Sequence, residues 1–226
     1  MKNYAIFILL LGLTTNAIGQ ENKVEIGIEG GPSFSYMRIY PIISGYSTSG
    51  ISAYSSGVFF QYNLKKWLSI RTNLSYERKG DNYRYYYNDA HTSGICGIKV
   101  LRHFDYFTLP ILAKASIGGK IKCFYNMGPF ISYLKSASYL NDYDQINTFE
   151  DGTDTYETID AGITTGVGID FQYFKNFSFS CEVRRNTGMT GIIKEFDWKY
   201  PSSLKTNSIN LLIGLTYKIK KTIEKN

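Results

Sequence analysis

The segment Glu157–Tyr173, ETIDAGITTGVGIDFQY, constrains the fold more than any other stretch of the chain. Its odd positions, Ile159, Ala161, Ile163, Thr165, Val167, Ile169 and Phe171, are nearly all apolar. Its even positions, Asp160, Gly162, Thr164, Gly166, Gly168, Asp170 and Gln172, are small or polar. Alternation held this long predicts a strand with one apolar and one polar face. The run exceeds the usual strand of about five or six residues and reaches the roughly nine to eleven that cross a bilayer at a tilt. The fold then turns on whether the apolar face points inward or outward.

The N-terminus bears on that choice. Lys2, the apolar run Tyr4–Leu13 and then Ala17-Ile18-Gly19 before Gln20 form a basic region, a short apolar region and a small-x-small cleavage site. Residues 1–19 are therefore expected to be a removed secretory signal, with residues 20–226 forming one domain. The apolar run falls short of the roughly 20 residues of a spanning helix, and no later stretch reaches that length. With 20 Tyr, 14 Phe, 21 Gly and 5 Pro, the composition favours strands and turns. The formal charge of +6 is scattered rather than striped, so no nucleic-acid partner is expected. Three cysteines make an odd count for an exported chain. Cys123 and Cys181 fall on apolar strand faces and Cys96 in a loop, which predicts unpaired, passive thiols. His91 and His103 are the only histidines, and neither shares a ligand spacing with two cysteines, so neither a metal nor a cofactor is expected.

Alternation marks eight segments: Val24–Tyr36, Ser52–Asn63, Trp67–Arg78, Arg102–Ile117, Ile121–Leu134, Glu157–Tyr173, Phe177–Met189 and Asn207–Ile219. Three connections are tight, at 64–66, 118–120 and 174–176. Four are long: Met37–Ile51, Gly80–Leu101, Lys135–Tyr156 and Thr190–Thr206. Short turns at one end and long loops at the other are the habit of outer-membrane barrels, with the turns periplasmic. Aromatic residues gather at both strand ends. Tyr62, Trp67, Tyr173, Phe174, Phe177 and Tyr217 lie at the turn end, and Tyr36, Tyr54, Tyr76, Tyr106 and Tyr133 at the other, as expected of two interfacial girdles. A soluble eight-stranded barrel of the lipocalin kind, apolar face inward, would also fit the alternation. The loop pattern, the girdles and the Gly-rich polar face favour the all-β, eight-stranded antiparallel transmembrane barrel.

The stretch Tyr106–Lys114, YFTLPILAK, a Gly-Gly turn and then Tyr125-Asn126-Met127-Gly128-Pro129-Phe130-Ile131-Ser132 resemble the PorT-family outer-membrane β-barrel proteins of Bacteroidetes. The resemblance covers about residues 22–219. It implies an outer-membrane location, contact with outer-membrane lipid and insertion by the barrel-assembly machinery. The member that names the family serves type IX secretion, so a subunit of such an assembly is one reading.

The expected lumen holds Glu25, Glu29, Glu77, Asp160, Asp170 and Glu182 against Arg71, Lys114, Lys122, Arg184 and Lys218. Buried charges need partners, so a salt-bridged plug is expected, with a narrow passive channel for ions or small solutes as the alternative. Lys114, Lys122 and Arg184 are the expected partners of Asp160 and Asp170. No nucleophile context accompanies His91, His103 and Asp105, so no enzyme is expected. Function would then sit on the loops, as a scaffold, adhesion surface or site for a protein partner. Tyr85, Tyr86 and Tyr87 in the second loop and Phe196, Trp198 and Tyr200 in the fourth are the contact candidates. Ile192 and Ile193 join the last three in an unusually apolar fourth loop, expected either to fold over the mouth as a lid or to present a docking patch for a partner. Asp142, Asp144, Glu150, Asp151 and Asp154 make the third loop acidic, without the register of an EF-hand.

Overall fold

Eight long antiparallel strands close into a ring in the computed structural model, which is described for residues 24–40, 46–89, 94–141, 149–174, 176–194 and 203–219. They are β1 (Val24–Tyr40), β2 (Tyr46–Lys65), β3 (Leu68–Asp89), β4 (Gly94–Gly118), β5 (Ile121–Asn141), β7 (Ile159–Gln172), β8 (Phe177–Gly188) and β9 (Ser203–Ile219). A two-residue strand, β6 (Glu150–Asp151), pairs with β5 outside the ring. Each long strand pairs with its neighbours in sequence, and β1 closes on β9 through Val24↔Ile219 to Tyr40↔Ser203. Closure leaves no unpaired edge in the wall, the condition for strands to cross a bilayer. No helix among the described residues is long and apolar enough to cross a membrane, which says nothing against a barrel.

The wall is inverted relative to a soluble barrel. Ile28, Val58, Ile111, Val167 and Ile213 stand exposed outside, while Glu29, Arg71, Glu77, Asp160, Glu182 and Arg184 are buried inside. In water this arrangement would expose a continuous apolar belt, whereas in lipid the belt is matched to its solvent. The lipocalin alternative is thereby excluded. On β7 the apolar positions Ile159, Ile163, Val167, Ile169 and Phe171 face outward, and Asp160 is fully buried in the lumen.

Aromatic rings mark the belt's two rims. At the turn end, Tyr173 packs edge-on to Phe174 at 4.5 Å and Phe177 lies 5.1 Å from Tyr217. Towards the loop end, Tyr54, Tyr76 and Phe107 form a chain of contacts at 5.8 and 5.9 Å. Tyr106 is the exception to the expected girdle. It sits one residue out of phase with Phe107, so its ring points into the lumen and is fully buried.

Strand ends differ from the alternation pattern on the loop side. Gly80–Leu101 is no loop: β3 continues to Asp89 and β4 begins at Gly94, paired from Gly80↔His103 to Asp89↔Gly94. Cys96 accordingly lies in β4 opposite Tyr87, and Tyr85, Tyr86 and Tyr87 lie in β3. Beyond the bilayer both faces of a ribbon can be polar, so period-two alternation fades although Tyr-rich pairing persists. For the same reason β1 runs past Tyr36, β2 starts before Ser52, β5 passes Leu134 and β9 starts before Asn207. At the other end the β4–β5 turn rests on Gly118, whose φ of 129° suits glycine. A Cβ there would also meet the Ile121 carbonyl oxygen at 2.2 Å.

Candidate functional site

Among the described residues, chemistry-bearing side chains converge in the lumen, and strand alternation puts them there. Glu25 and Glu29 come from β1, Arg71, Glu77, Lys79 and Asp81 from β3, Glu182 and Arg184 from β8, each pair two or more even steps apart on one face. At mid-height, Arg184 donates from Nη1 to Glu29 Oε1 at 2.5 Å and from Nε to Glu182 Oε1 at 2.6 Å. Arg71 pairs closely with Glu29 and lies 3.8 Å from Glu182. Asn73 donates to Glu29 at 2.6 Å and Asn126 to Glu182 at 3.0 Å. Two cations and two anions thus neutralise one another across the bore, each side chain no more than 4% exposed. Gly166 makes room for this cluster, since a Cβ there would meet Asn126 Oδ1 at 2.5 Å and Glu182 Oε1 at 2.6 Å. The Phe59 ring floors Arg71, with the guanidinium carbon 3.8 Å from its centroid.

A second tier lies towards the loops. Glu77 accepts from Ser208 at 2.5 Å, Asn210 at 2.9 Å and Asn186 at 3.1 Å. Lys79 Nζ stands 3.5 Å from Asp160 and 3.9 Å from Glu77, and 5.0 Å from the centroids of both Tyr106 and Phe130. Asp160 also accepts from Thr206 at 2.5 Å and Thr190 at 3.0 Å. Above it, Arg102 grips Asp81 through two bonds at 2.8 and 2.7 Å.

An apolar cap closes the top. Met37, Phe104, Tyr106, Leu134, Ala137, Ile192 and Leu204 form a buried cluster, with Ile39, Tyr156 and Ile193 packed against it. Backbone bonds hold the cap's loops in place, from Ile192 N to Leu204 O at 2.9 Å and from Glu157 N to Ile192 O at 2.8 Å. Ile192 and Ile193 therefore belong to the barrel's own interior packing, not to a docking patch. Phe196, Trp198 and Tyr200 lie outside the described residues, as do His91, Asp142 and Asp144.

At the turn end, Lys114 pairs with Asp170 at 2.8 Å, with its ammonium 3.9 Å from the Phe124 centroid. Glu25 accepts from Asn63 at 2.9 Å and Gln61 at 3.2 Å. Lys122 and Lys218 face inward, half-buried, and make no ion pair among the described residues. All eleven charges named from the sequence therefore point into the lumen, but the expected pairing is only partly right. Asp170 takes Lys114, whereas Asp160 takes Lys79 rather than Arg184 or Lys122. Of the inward charges missing from that set, Asp81 falls in the supposed second loop, Lys79 lies between Arg78 and the start of that loop, and Arg102 is the first residue of the fourth segment. Continuing the odd-numbered face of β3 from Arg71 through Glu77 would have reached Lys79 and Asp81.

Outside the bore, Arg78 and Asp105 pair on the outer surface at 2.7 Å, and the His103 ring stacks on Phe149 at 4.8 Å. Asp151 accepts from Thr153 Oγ1 at 2.6 Å and Thr153 N at 2.9 Å, bonds that hold its carboxyl below the usual range. That turn serves the local 3₁₀ helix Thr153–Thr155. Among the described residues no cluster of three His, Cys, Asp or Glu could hold a metal.

A closed antiparallel ring with an apolar exterior, rimmed by aromatics and filled with paired charges, defines a membrane β-barrel of the outer-membrane type. The chain belongs to the family described as outer membrane protein beta-barrel domain, whose sequence profile matches residues 16–194. No curated protein matches it. Among solved structures it is similar to Neisserial surface protein A, at 12% identity and a TM-score of 0.48, covering 86% of this chain and 97% of that one. The attachment invasion locus protein Ail of Yersinia pestis is 11% identical with a TM-score of 0.46, covering 88% and 100%. OprG from Pseudomonas aeruginosa is 13% identical with a TM-score of 0.46, covering 89% and 98%.

Proposed function

We propose that this outer-membrane barrel is a sealed, non-enzymatic scaffold that presents its outer ribbon and loops to a partner. The observation that carries this reading is the buried Glu29–Arg71–Glu182–Arg184 cluster, in which every charge is met by an opposite one across the bore. An ion entering such a bore would have to break bonds that replace its own hydration, and the apolar cap above would add a dewetted layer. The β3–β4 ribbon, with Tyr86 exposed, rises beyond the outer aromatic rim and offers main chain and aromatic surface to a protein or to another cell's surface. The finer placement among PorT-like barrels of Bacteroidetes rests on the YFTLPILAK strand and its Gly-Pro partner, and export on a cleaved signal at residues 1–19.

Planar-bilayer recording tests the seal. The wild-type protein is expected to give no stable conductance, whereas reproducible, ion-selective steps would replace the scaffold by a narrow channel. A photo-crosslinker at Tyr86 in intact outer membranes is expected to trap a defined partner.

A further inference from the structure

The turn end of the lumen opens into a blind vestibule of about 410 Å³, below the sealed mid-height cluster. Its charged lining is one-sided. Lys66, Lys114, Lys120, Lys122 and Lys218 face it, against Glu25 and Asp170. Asp170 is taken by Lys114, and Glu25 is held by the amides of Gln61 and Asn63. Four ammonium groups are left without an ion pair among the described residues. The Ser178 hydroxyl, in a residue only 5% exposed, lines the same cavity and finds no protein partner.

We propose that this vestibule is a binding site for a small soluble phosphate-bearing anion, such as a di- or polyphosphate or a phosphorylated sugar. Lysines act on phosphate as point charges without demanding one orientation, whereas planar carboxylates are better matched by arginine forks, which this cavity lacks. A concave, low-dielectric wall lined by one sign of charge focuses the field and concentrates counter-ions. The volume lies within the roughly 300–1,000 Å³ of ordinary small-ligand sites. Lys122 and Lys218 point into the bore, away from bilayer headgroups, so the anion comes from solution on the turn side. That side is periplasmic in outer-membrane barrels. Ser178 would supply a directional bond from the wall of the site.

Isothermal titration of inorganic pyrophosphate into the full barrel in phosphatidylcholine nanodiscs, at about 50 mM salt, tests the site. Saturable binding is expected, weakened at least tenfold in Lys122→Gln/Lys218→Gln and unchanged in Lys99→Gln, which alters an exposed lysine on the loop-side part of β4. Lys120→Gln, at an exposed turn where folding is undisturbed, is expected to weaken binding two- to threefold. Absence of saturable binding by the wild type, or equal binding by the double variant, overturns the site. Acetylation mapping separates the sources. Pyrophosphate should protect Lys122 and Lys218, while protection by phosphatidylglycerol nanodiscs alone would assign the site to a lipid headgroup and overturn the soluble-anion reading.

Discussion

Replacing Arg184 with alanine removes four hydrogen bonds at 2.5–3.1 Å and leaves the mid-lumen cluster with one cation for two carboxylates. Glu29 keeps Arg71 and Asn73, but Glu182 keeps only Asn126 at 3.0 Å and Arg71 at 3.8 Å. At an effective dielectric of about 20, a charge pair near 4 Å is worth ~4 kcal/mol. Arg184 meets two such charges, offset by the cost of burying its own guanidinium. The net expectation is a loss of about 3–5 kcal/mol, the range found when one member of a buried pair is deleted. That corresponds to roughly two to four powers of ten in the folding equilibrium. Urea unfolding in phosphatidylcholine vesicles, followed by tryptophan fluorescence, measures it. The double variant Glu182→Gln/Arg184→Gln keeps shape and restores neutrality, so it should cost about 1–2 kcal/mol, less than Arg184→Ala alone. A cost below about 1 kcal/mol for Arg184→Ala, with no coupling between the two positions, would mean that water screens the cluster. The sealed-lumen reading would then lose its basis.

Two further predictions test the inverted wall. Val167→Lys puts a charge on the lipid face midway along β7 and should cost about 2–4 kcal/mol in vesicles, while Tyr173→Lys at the turn-end rim should cost roughly 0–1; equal costs would refute the depth assignment. Cys123 and Cys181 are free, exposed and both register-paired with Ile169 on the outer face. In a Cys96→Ser variant in vesicles, a charged thiol reagent should label neither, and unfolding should expose both; rapid labelling before unfolding would mean that this face is wet.

The barrel was legible in the sequence because lipid on one side and a narrow bore on the other impose strict alternation within the membrane. On β7 that rule placed every outward Ile, Val and Phe and both inward aspartates. It failed where its cause ends. Above the outer rim the β3–β4 ribbon no longer runs between lipid and bore, so residues 80–101 read as a loop that takes Asp81 with it, while Lys79 lies just before that loop and Arg102 just after it. Tyr106 was misassigned for a related reason: aromatic identity suggests a girdle, but only phase decides a side, and phase placed it beside Lys79. The apolar cap was out of reach, since Met37, Phe104, Ile192 and Leu204 come from three strands and a loop and meet only after the ring closes.

The charge network also does what an apolar filling could not. A lipid-facing surface gives strands little reason to choose one register over another, because hydrocarbon lies outside at every step. A slip of one residue along β3 or β8 turns every side chain to the opposite face. Arg71, or Arg184, would then meet lipid at about 2–4 kcal/mol near mid-height, and Glu29, Asp160 and Glu182 would lose their partners. A slip of two keeps the faces but displaces Arg184 along the bore by ~6.6 Å, well beyond the reach of Glu29. With apolar residues at those positions, either error would cost little. The same pairs that fill the bore therefore fix the register in which the wall is joined.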